Sequence, residues 1–117
     1  EVRVSKPGEI KPLHDYYDYK AKYKDDSTEL LIPAPVGDDV ISRMQEIAES
    51  AFKAIDGDGY ARIDFFLRES DDTLLVNEVN TIPGFTQYSM YPKLWEISGL
   101  PYKLLIDELI ALAVKKY

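Results

Sequence analysis

Two runs of strand-forming residues, Tyr60–Leu67 and Thr73–Asn80, stand five polar residues apart. Both are rich in β-branched, aromatic and aliphatic side chains. The connector Arg68-Glu69-Ser70-Asp71-Asp72 has the composition of a turn. The pair predicts an antiparallel hairpin. With a turn at Ser70-Asp71-Asp72, Glu69 faces Thr73, Arg62 faces Asn80, Asp64 faces Glu78 and Phe66 faces Val76. Because side chains alternate along a strand, the last three pairs share one face. Ala61, Ile63, Phe65, Leu67, Leu75 and Val79 fall on the other face, which is core-like apart from Asn77.

Two carboxylates opposed across a ladder repel each other. Arg62 offsets part of that repulsion. A divalent cation offsets it better, since Mg²⁺ takes hard oxygen ligands such as carboxylates, an amide carbonyl and substrate phosphates. Asp64, Glu78 and Asn80 supply such a set, leaving Arg62 to face developing negative charge. Phe66 and Val76 beside them suit a nucleotide base. The plainer alternative is a solvated hairpin face whose Arg–Asp pair is worth about 0–1 kcal/mol.

The rest of the chain surrounds this hairpin. Glu1–Lys6 reads as a short strand stopped by Pro7-Gly8, and Glu29–Ile32 as a second one ended by Pro33 and Pro35. Between them, His14 to Asp26 is aromatic and charged without a period of 2 or 3.6, so it reads as a long loop, of the kind that often serves as a lid. Val40, Ile41, Met44, Ile47, Ala48, Ala51, Phe52 and Ile55 form one apolar helical stripe. Asp38 is its expected N-cap, and glycine in Asp56-Gly57-Asp58-Gly59 its stop. Thr81–Pro92 is a loop, Lys93–Ile97 a short helical turn closed by Ser98-Gly99. A last helix starts near Pro101 with Leu104, Leu105, Leu109, Leu112 and Ala113 on its buried side.

Composition excludes several functions. Fourteen Lys+Arg against twenty-one Asp+Glu give a net charge of -7, without the basic footprint of a nucleic-acid binder or an anionic-membrane ligand. Zero cysteines removes disulfides, thiolate nucleophiles and Cys-based zinc sites, and the single His14 removes a multi-His metal cluster. Metal chemistry here must use oxygen. There is no Walker-type loop, no GxGxxG and no Ser-His-Asp set arguable from spacing. His14, between Leu13 and Asp15, reads as a loop or packing residue. No apolar run approaches a membrane span of about 18 residues. The chain opens on Glu1 with no signal-peptide profile, and we expect a piece of something longer.

Tyr60-Ala61-Arg62-Ile63-Asp64-Phe65-Phe66 followed by Val76-Asn77-Glu78-Val79-Asn80-Thr81-Ile82-Pro83-Gly84-Phe85-Thr86 resembles the C-terminal part of the ATP-grasp ligases. Within that superfamily the chain is most similar to the D-alanine–D-alanine ligase family, because Tyr16-Tyr17-Asp18-Tyr19-Lys20-Ala21-Lys22-Tyr23 resembles that family's mobile active-site loop. The resemblance covers essentially the whole chain. It implies an α+β fold, the C-terminal portion of an ATP-grasp domain, with mainly antiparallel sheet packed on two main helices. Residues 1–36 would hold edge strands and the active-site loop, and 37–117 the helix, metal-binding hairpin, substrate loop and C-terminal helix.

The resemblance also implies roles. Asp64, Glu78 and Asn80 would hold two Mg²⁺ ions, or Mn²⁺ in their place, against the phosphates of ATP. Arg62 and the Gly84 N–H would form an oxyanion site. Ser89 and Met90 would bind the carboxylate of a second D-alanine. Lys22 would reach the γ-phosphate, and Tyr16, Phe66 and Val76 would line the adenine pocket. Tyr23 stands where related ligases making D-alanyl-D-lactate carry His. A neutral Tyr favours the amine substrate, since an imidazolium handicaps an ammonium. The implied whole is a cytoplasmic, homodimeric bacterial enzyme of peptidoglycan synthesis, with N-terminal and central domains that this chain lacks, so the chain alone is expected to be inactive. The rivals are another ATP-grasp carboxylate–amine ligase, including a D-alanine–D-lactate type, and a non-catalytic acidic binding module.

Overall fold

A computed structural model describes residues 1–12 and 28–117. Two antiparallel pairs and three helices are present among these residues. In chain order they are β1 (Glu9–Pro12), β2 (Thr28–Leu31), α1 (Asp38–Ala54), β3 (Arg62–Arg68), β4 (Thr73–Asn80), α2 (Met90–Ile97) and α3 (Tyr102–Lys116). Among the described residues, β1 pairs with β2 and β3 with β4. The α+β expectation holds, with a third helix where a single helical turn is expected.

Helix α1 packs on the β3–β4 hairpin, and α2 packs on α3. Val40 and Ala48 of the predicted α1 stripe are buried, while Ile55 is 47% exposed, past the helix end. Gly37, not Asp38, is the N-cap. Asp38 and Asp39 instead occupy the first turn, where a carboxylate complements the positive end of the helix dipole. At the other end the left-handed residue is Asp56 (φ 56°), not a glycine. Asp56 N–H donates to the Lys53 carbonyl (3.0 Å) and Gly57 N–H to that of Phe52 (2.8 Å), which satisfies two carbonyls the helix end would orphan. Aspartate tolerates this conformation better than most residues.

The N-terminal strand lies later than expected. Glu1–Lys6 is not a strand. It runs across the helices, whose side chains take up its backbone groups: Gln45 Nε2 donates to the Ser5 carbonyl (3.0 Å), and Lys6 N–H donates to Ser98 Oγ (2.9 Å). Pro7 and Gly8 then turn the chain into β1 rather than ending a strand. A Cβ on Gly8 would lie 2.9 Å from Leu94 Cδ2, so any larger residue there would make the Leu94 and Met90 side chains of α2 shift.

Helix α2 starts at Met90, three residues before the expected turn, with Tyr91 and Pro92 buried. Proline is tolerated in a first turn because its missing N–H has no intrahelical partner there. Gly99 (φ 101°) stops α2 as expected, with Leu100 N–H donating to the Trp95 carbonyl (2.8 Å). On α3 the expected buried side is only partly covered. Leu105 is 2% exposed, but Leu104 is 51% and Leu112 46% exposed, and Ala113 is exposed. A pair between Lys116 and Asp58 ties the end of α3 to the turn after α1.

The hairpin turn is braced by charge. Arg68 forks onto Asp71 (Nε–Oδ1 2.9 Å, Nη2–Oδ2 2.8 Å), and Thr73 N–H donates to Asp71 Oδ1 (3.1 Å). The guanidinium, seconded by Thr73, holds the Asp71 carboxyl down at about 2, from 3.8. A carboxyl with a depressed folded pKa stabilises the fold above its unfolded value and loses that contribution as pH falls through the folded one. Urea midpoints should therefore be higher for the native chain than for Asp71→Asn at pH 6. The gap should close as pH drops from about 4 towards 2. A gap that persists unchanged at pH 2 would contradict this.

Candidate active site

The hairpin ladder matches the predicted register in its first half and departs from it in the second. Arg62 pairs with Asn80, Ile63 with Val79 and Asp64 with Glu78. A bulge then shifts the register by one, so that Phe65 pairs with Val76, Phe66 with Leu75, Leu67 with Leu74 and Arg68 with Thr73. The extra residue is Asn77, the one polar residue of the expected core face. The predicted Phe66–Val76 and Glu69–Thr73 oppositions are thereby corrected. Leu75, expected in the core, faces Phe66 instead and is half exposed. A bulge inserts one unpaired residue into a strand and leaves no periodicity to read. The polar Asn77 among apolar neighbours was the available signal.

Arg62, Asp64, Glu78 and Asn80 thus share one hairpin face, as their spacing predicts. Arg62 Nε donates to Asp64 Oδ1 (2.8 Å) and Nη2 to Oδ2 (3.0 Å), with side chains only 23% and 27% exposed. A two-pronged pair fixes both groups in orientation as well as position. The side chain of Glu78, directly opposite Asp64, makes no ion pair or hydrogen bond with the described residues and is exposed. Asn80 Oδ1 accepts from Ile82 N–H (3.0 Å), which fixes the amide and bends the chain out of β4.

The donor set suits a hard divalent cation. A carboxylate has about four lone-pair sites, so Asp64 keeps two after pairing with Arg62, and Asn80 Oδ1 keeps one. Glu78 keeps all of its own. No group of three or more His, Cys, Asp or Glu gathers among the described residues, so the set is two carboxylates and an amide. Two carboxylates held face to face with one unsatisfied fit an ion of charge +2 better than solvent.

The loop after β4 returns to the base of the hairpin through an aromatic cluster. The Phe85 ring lies 5.9 Å from Tyr60 edge-on, 5.8 Å from Tyr91 and 5.6 Å from Tyr102. Tyr60 itself sits 5.3 Å from Tyr91. Tyr102 Oη donates to the Phe85 carbonyl (3.2 Å). Burial pushes the Tyr91 hydroxyl pKa up, so the ring stays neutral. Tyr60 comes two residues before Arg62 and Phe85 one after Gly84. The cluster therefore brings the loop to the Arg62 end of β3. A Cβ on Gly84 would lie 3.2 Å from Ser89 Oγ, so Gly84 also packs against the residue that begins α2. Sequence reasoning missed this cluster. Its four rings come from two loop positions and from helices α2 and α3, with no local period to mark them.

Ser89 caps α2, with Met90 as the first helical residue. Both are half-buried, whereas Phe66 is 61% and Val76 44% exposed. His14, Tyr16, Lys22 and Tyr23 lie outside the described residues. No helix among the described residues is long and apolar enough to cross a membrane.

The whole chain resembles known proteins. The family model described as D-ala D-ala ligase C-terminus matches residues 1–111. This chain belongs to that family. It is 60% identical to the D-alanine–D-alanine ligase of Halothermothrix orenii over 115 residues, 98% of this chain and 33% of that protein. It is 54% identical to the D-alanine–D-alanine ligase of Geobacillus thermodenitrificans, over 100% of this chain and 32% of that protein. Among solved structures, the VanG D-Ala:D-Ser ligase of Enterococcus faecalis matches with a TM-score of 0.83 and 37% identity, over 96% of this chain and 32% of that one. The D-alanine–D-alanine ligase of Coxiella burnetii matches at 0.78 and 41%, over 96% and 28%. The chain thus spans about a third of the curated relatives it matches. The expectation of D-alanine–D-alanine ligase family membership stands on the family model and these likenesses.

Proposed function

We propose that this chain is the metal- and acceptor-binding part of an enzyme that joins two D-alanines at the expense of ATP. The observation that carries the proposal is the Asp64–Glu78 opposition, flanked by the forked Arg62 and by Asn80. It is supported by relatives named D-alanine–D-alanine ligase at up to 60% identity over nearly all of the chain. A D-alanine–D-alanine ligase from Bacillus anthracis is known in complex with ATP, and it matches this chain with a TM-score of 0.74.

The reaction runs in two steps. A carboxylate oxygen of the first D-alanine attacks the γ-phosphorus of ATP and releases ADP, leaving an acyl phosphate. The amine of the second D-alanine attacks the acyl carbon, loses a proton, and phosphate departs as the amide bond forms. Asp64, Glu78 and Asn80 would hold Mg²⁺, which supplies charge neutralisation at the transferring phosphoryl group. Arg62, oriented by Asp64, would bring its positive charge to the oxygen that becomes negative at the acyl carbon. The Gly84 N–H joins it from the loop that the aromatic cluster anchors. Ser89 and the first turn of α2 receive the carboxylate of the second D-alanine, where helix N–H groups and dipole favour an anion. Phe66 offers an apolar surface to the adenine. Lys22, Tyr16 and Tyr23 act from the preceding segment: Lys22 at the γ-phosphate, Tyr16 at the base, and Tyr23 at the substrate amine.

Substrate profiling of the full-length protein tests the reading. ADP release should depend on D-alanine, and the dipeptide should form in preference to products with D-lactate or D-serine. A preference for either of those acceptors would move the protein to a sister class. No D-alanine-dependent turnover at all would sink the reading. Location in the cytoplasm and a dimeric parent belong to the same proposal.

A further inference from the structure

Ser89 caps α2 without a side-chain hydrogen bond into that helix. Its hydroxyl turns back to Thr86 instead. Thr86 N–H donates to Ser89 Oγ (3.0 Å), and Thr86 Oγ1 lies 2.9 Å from Ser89 Oγ. Tyr88 N–H donates to Thr86 Oγ1 (3.2 Å), while Ser89 N–H donates to the Thr86 carbonyl (3.0 Å). A Cβ on Gly84 would lie 3.2 Å from Ser89 Oγ.

A hydroxyl has one proton to give and two lone pairs to fill. Between Thr86 and Ser89 only one of the two protons lies in the shared bond. If Ser89 donated, its proton would be spent on Thr86 and none would remain for a ligand. If Thr86 donates, Ser89 Oγ accepts twice, from Thr86 N–H and Thr86 Oγ1–H, and its own proton can point only outward. An anion beside Ser89 selects the second state. The chain then runs Tyr88 N–H to Thr86 Oγ1–H to Ser89 Oγ–H, each bond polarising the next.

We propose that Thr86 is a positioning residue that fixes the Ser89 hydroxyl as a donor to the carboxylate of the second amino acid substrate. This rests on the reading of Ser89 as that carboxylate's site. Thr86 does not touch the substrate in this account; it acts through Ser89. Its side chain is exposed, so removing the hydroxyl leaves no buried gap.

The test uses the full-length enzyme and the apparent KM of the second D-alanine. Thr86→Val should raise that KM about tenfold, the scale of a hydrogen bond to a charged group, with ATP KM and kcat within about twofold. Thr86→Ser keeps the hydroxyl and should restore the KM to within about twofold. On a Ser89→Ala background, Thr86→Val should add nothing, because the two residues act as one unit. An unchanged KM in Thr86→Val, equal losses in the valine and serine variants, or additive effects with Ser89→Ala would each overturn the proposal. An active native enzyme with an indifferent Thr86→Val sinks this inference alone. A native enzyme with no D-alanine turnover sinks it together with the reading beneath it.

Discussion

Arg62→Ala in the full-length protein is expected to lower kcat by about 10²–10³-fold, the cost of removing one donor from an oxyanion site. The expectation follows from how the side chain is held. Its fork onto Asp64 fixes the orientation of the guanidinium, and its side chain is only 23% exposed. Preorganised donors are worth more than mobile ones because they need no reorientation as charge develops. Arg62→Lys should recover less than about a tenth of the loss, since one ammonium cannot both fork onto a carboxylate and reach an acyl oxygen. Stability should change little by comparison, as partly exposed ion pairs contribute about 0–1 kcal/mol. An alanine variant that keeps more than half of the native kcat would reduce Arg62 to a structural partner of Asp64.

Glu78→Gln should separate stability from activity. The substitution keeps the size and removes the charge that faces Asp64 across the ladder. Relief of a like-charge pair is worth about 0.2–1 kcal/mol, so the metal-free variant should be slightly more stable. Activity should fall at least about a hundredfold, and the Mg²⁺ needed for half-maximal rate should rise about tenfold, because a carboxylate ligand has become a neutral amide. Both changes come from one charge. The charge that costs stability without metal is the one proposed to bind the cation. Unaltered nucleotide affinity and an unaltered Mg²⁺ titration in Glu78→Gln would count heavily against the metal set.

The sequence made the site face legible where chemistry repeats at the strand period. Arg62, Asp64, Glu78 and Asn80 follow alternation, and the ladder pairs them as the spacing requires. Helix α1 and its stripe were legible for the same reason, since Val40 and Ala48 mark a 3.6-residue period. What escaped were features that depend on a single residue or on distant partners. The bulge at Asn77 moves Leu75 opposite Phe66 without changing composition. The N-terminal residues take their hydrogen bonds from Gln45 and Ser98, some 40 and 92 positions away, so their strand-like sequence does not form a strand. The Tyr60–Phe85–Tyr91–Tyr102 cluster unites two loops with helices α2 and α3. On α3, Leu104 and Leu112 follow a helical period yet stay half exposed, because period predicts a face and not what covers it.

The central claim is that one hairpin face, with its loop, serves ATP-dependent joining of D-alanine. The most direct measurement is ADP release by the full-length protein as D-alanine and Mg²⁺ are varied, with dipeptide quantified in the same samples. The account predicts ADP that appears only with both present, in a one-to-one ratio with dipeptide, and that is lost in Glu78→Gln. ADP release indifferent to D-alanine, or undiminished in Glu78→Gln, would contradict it.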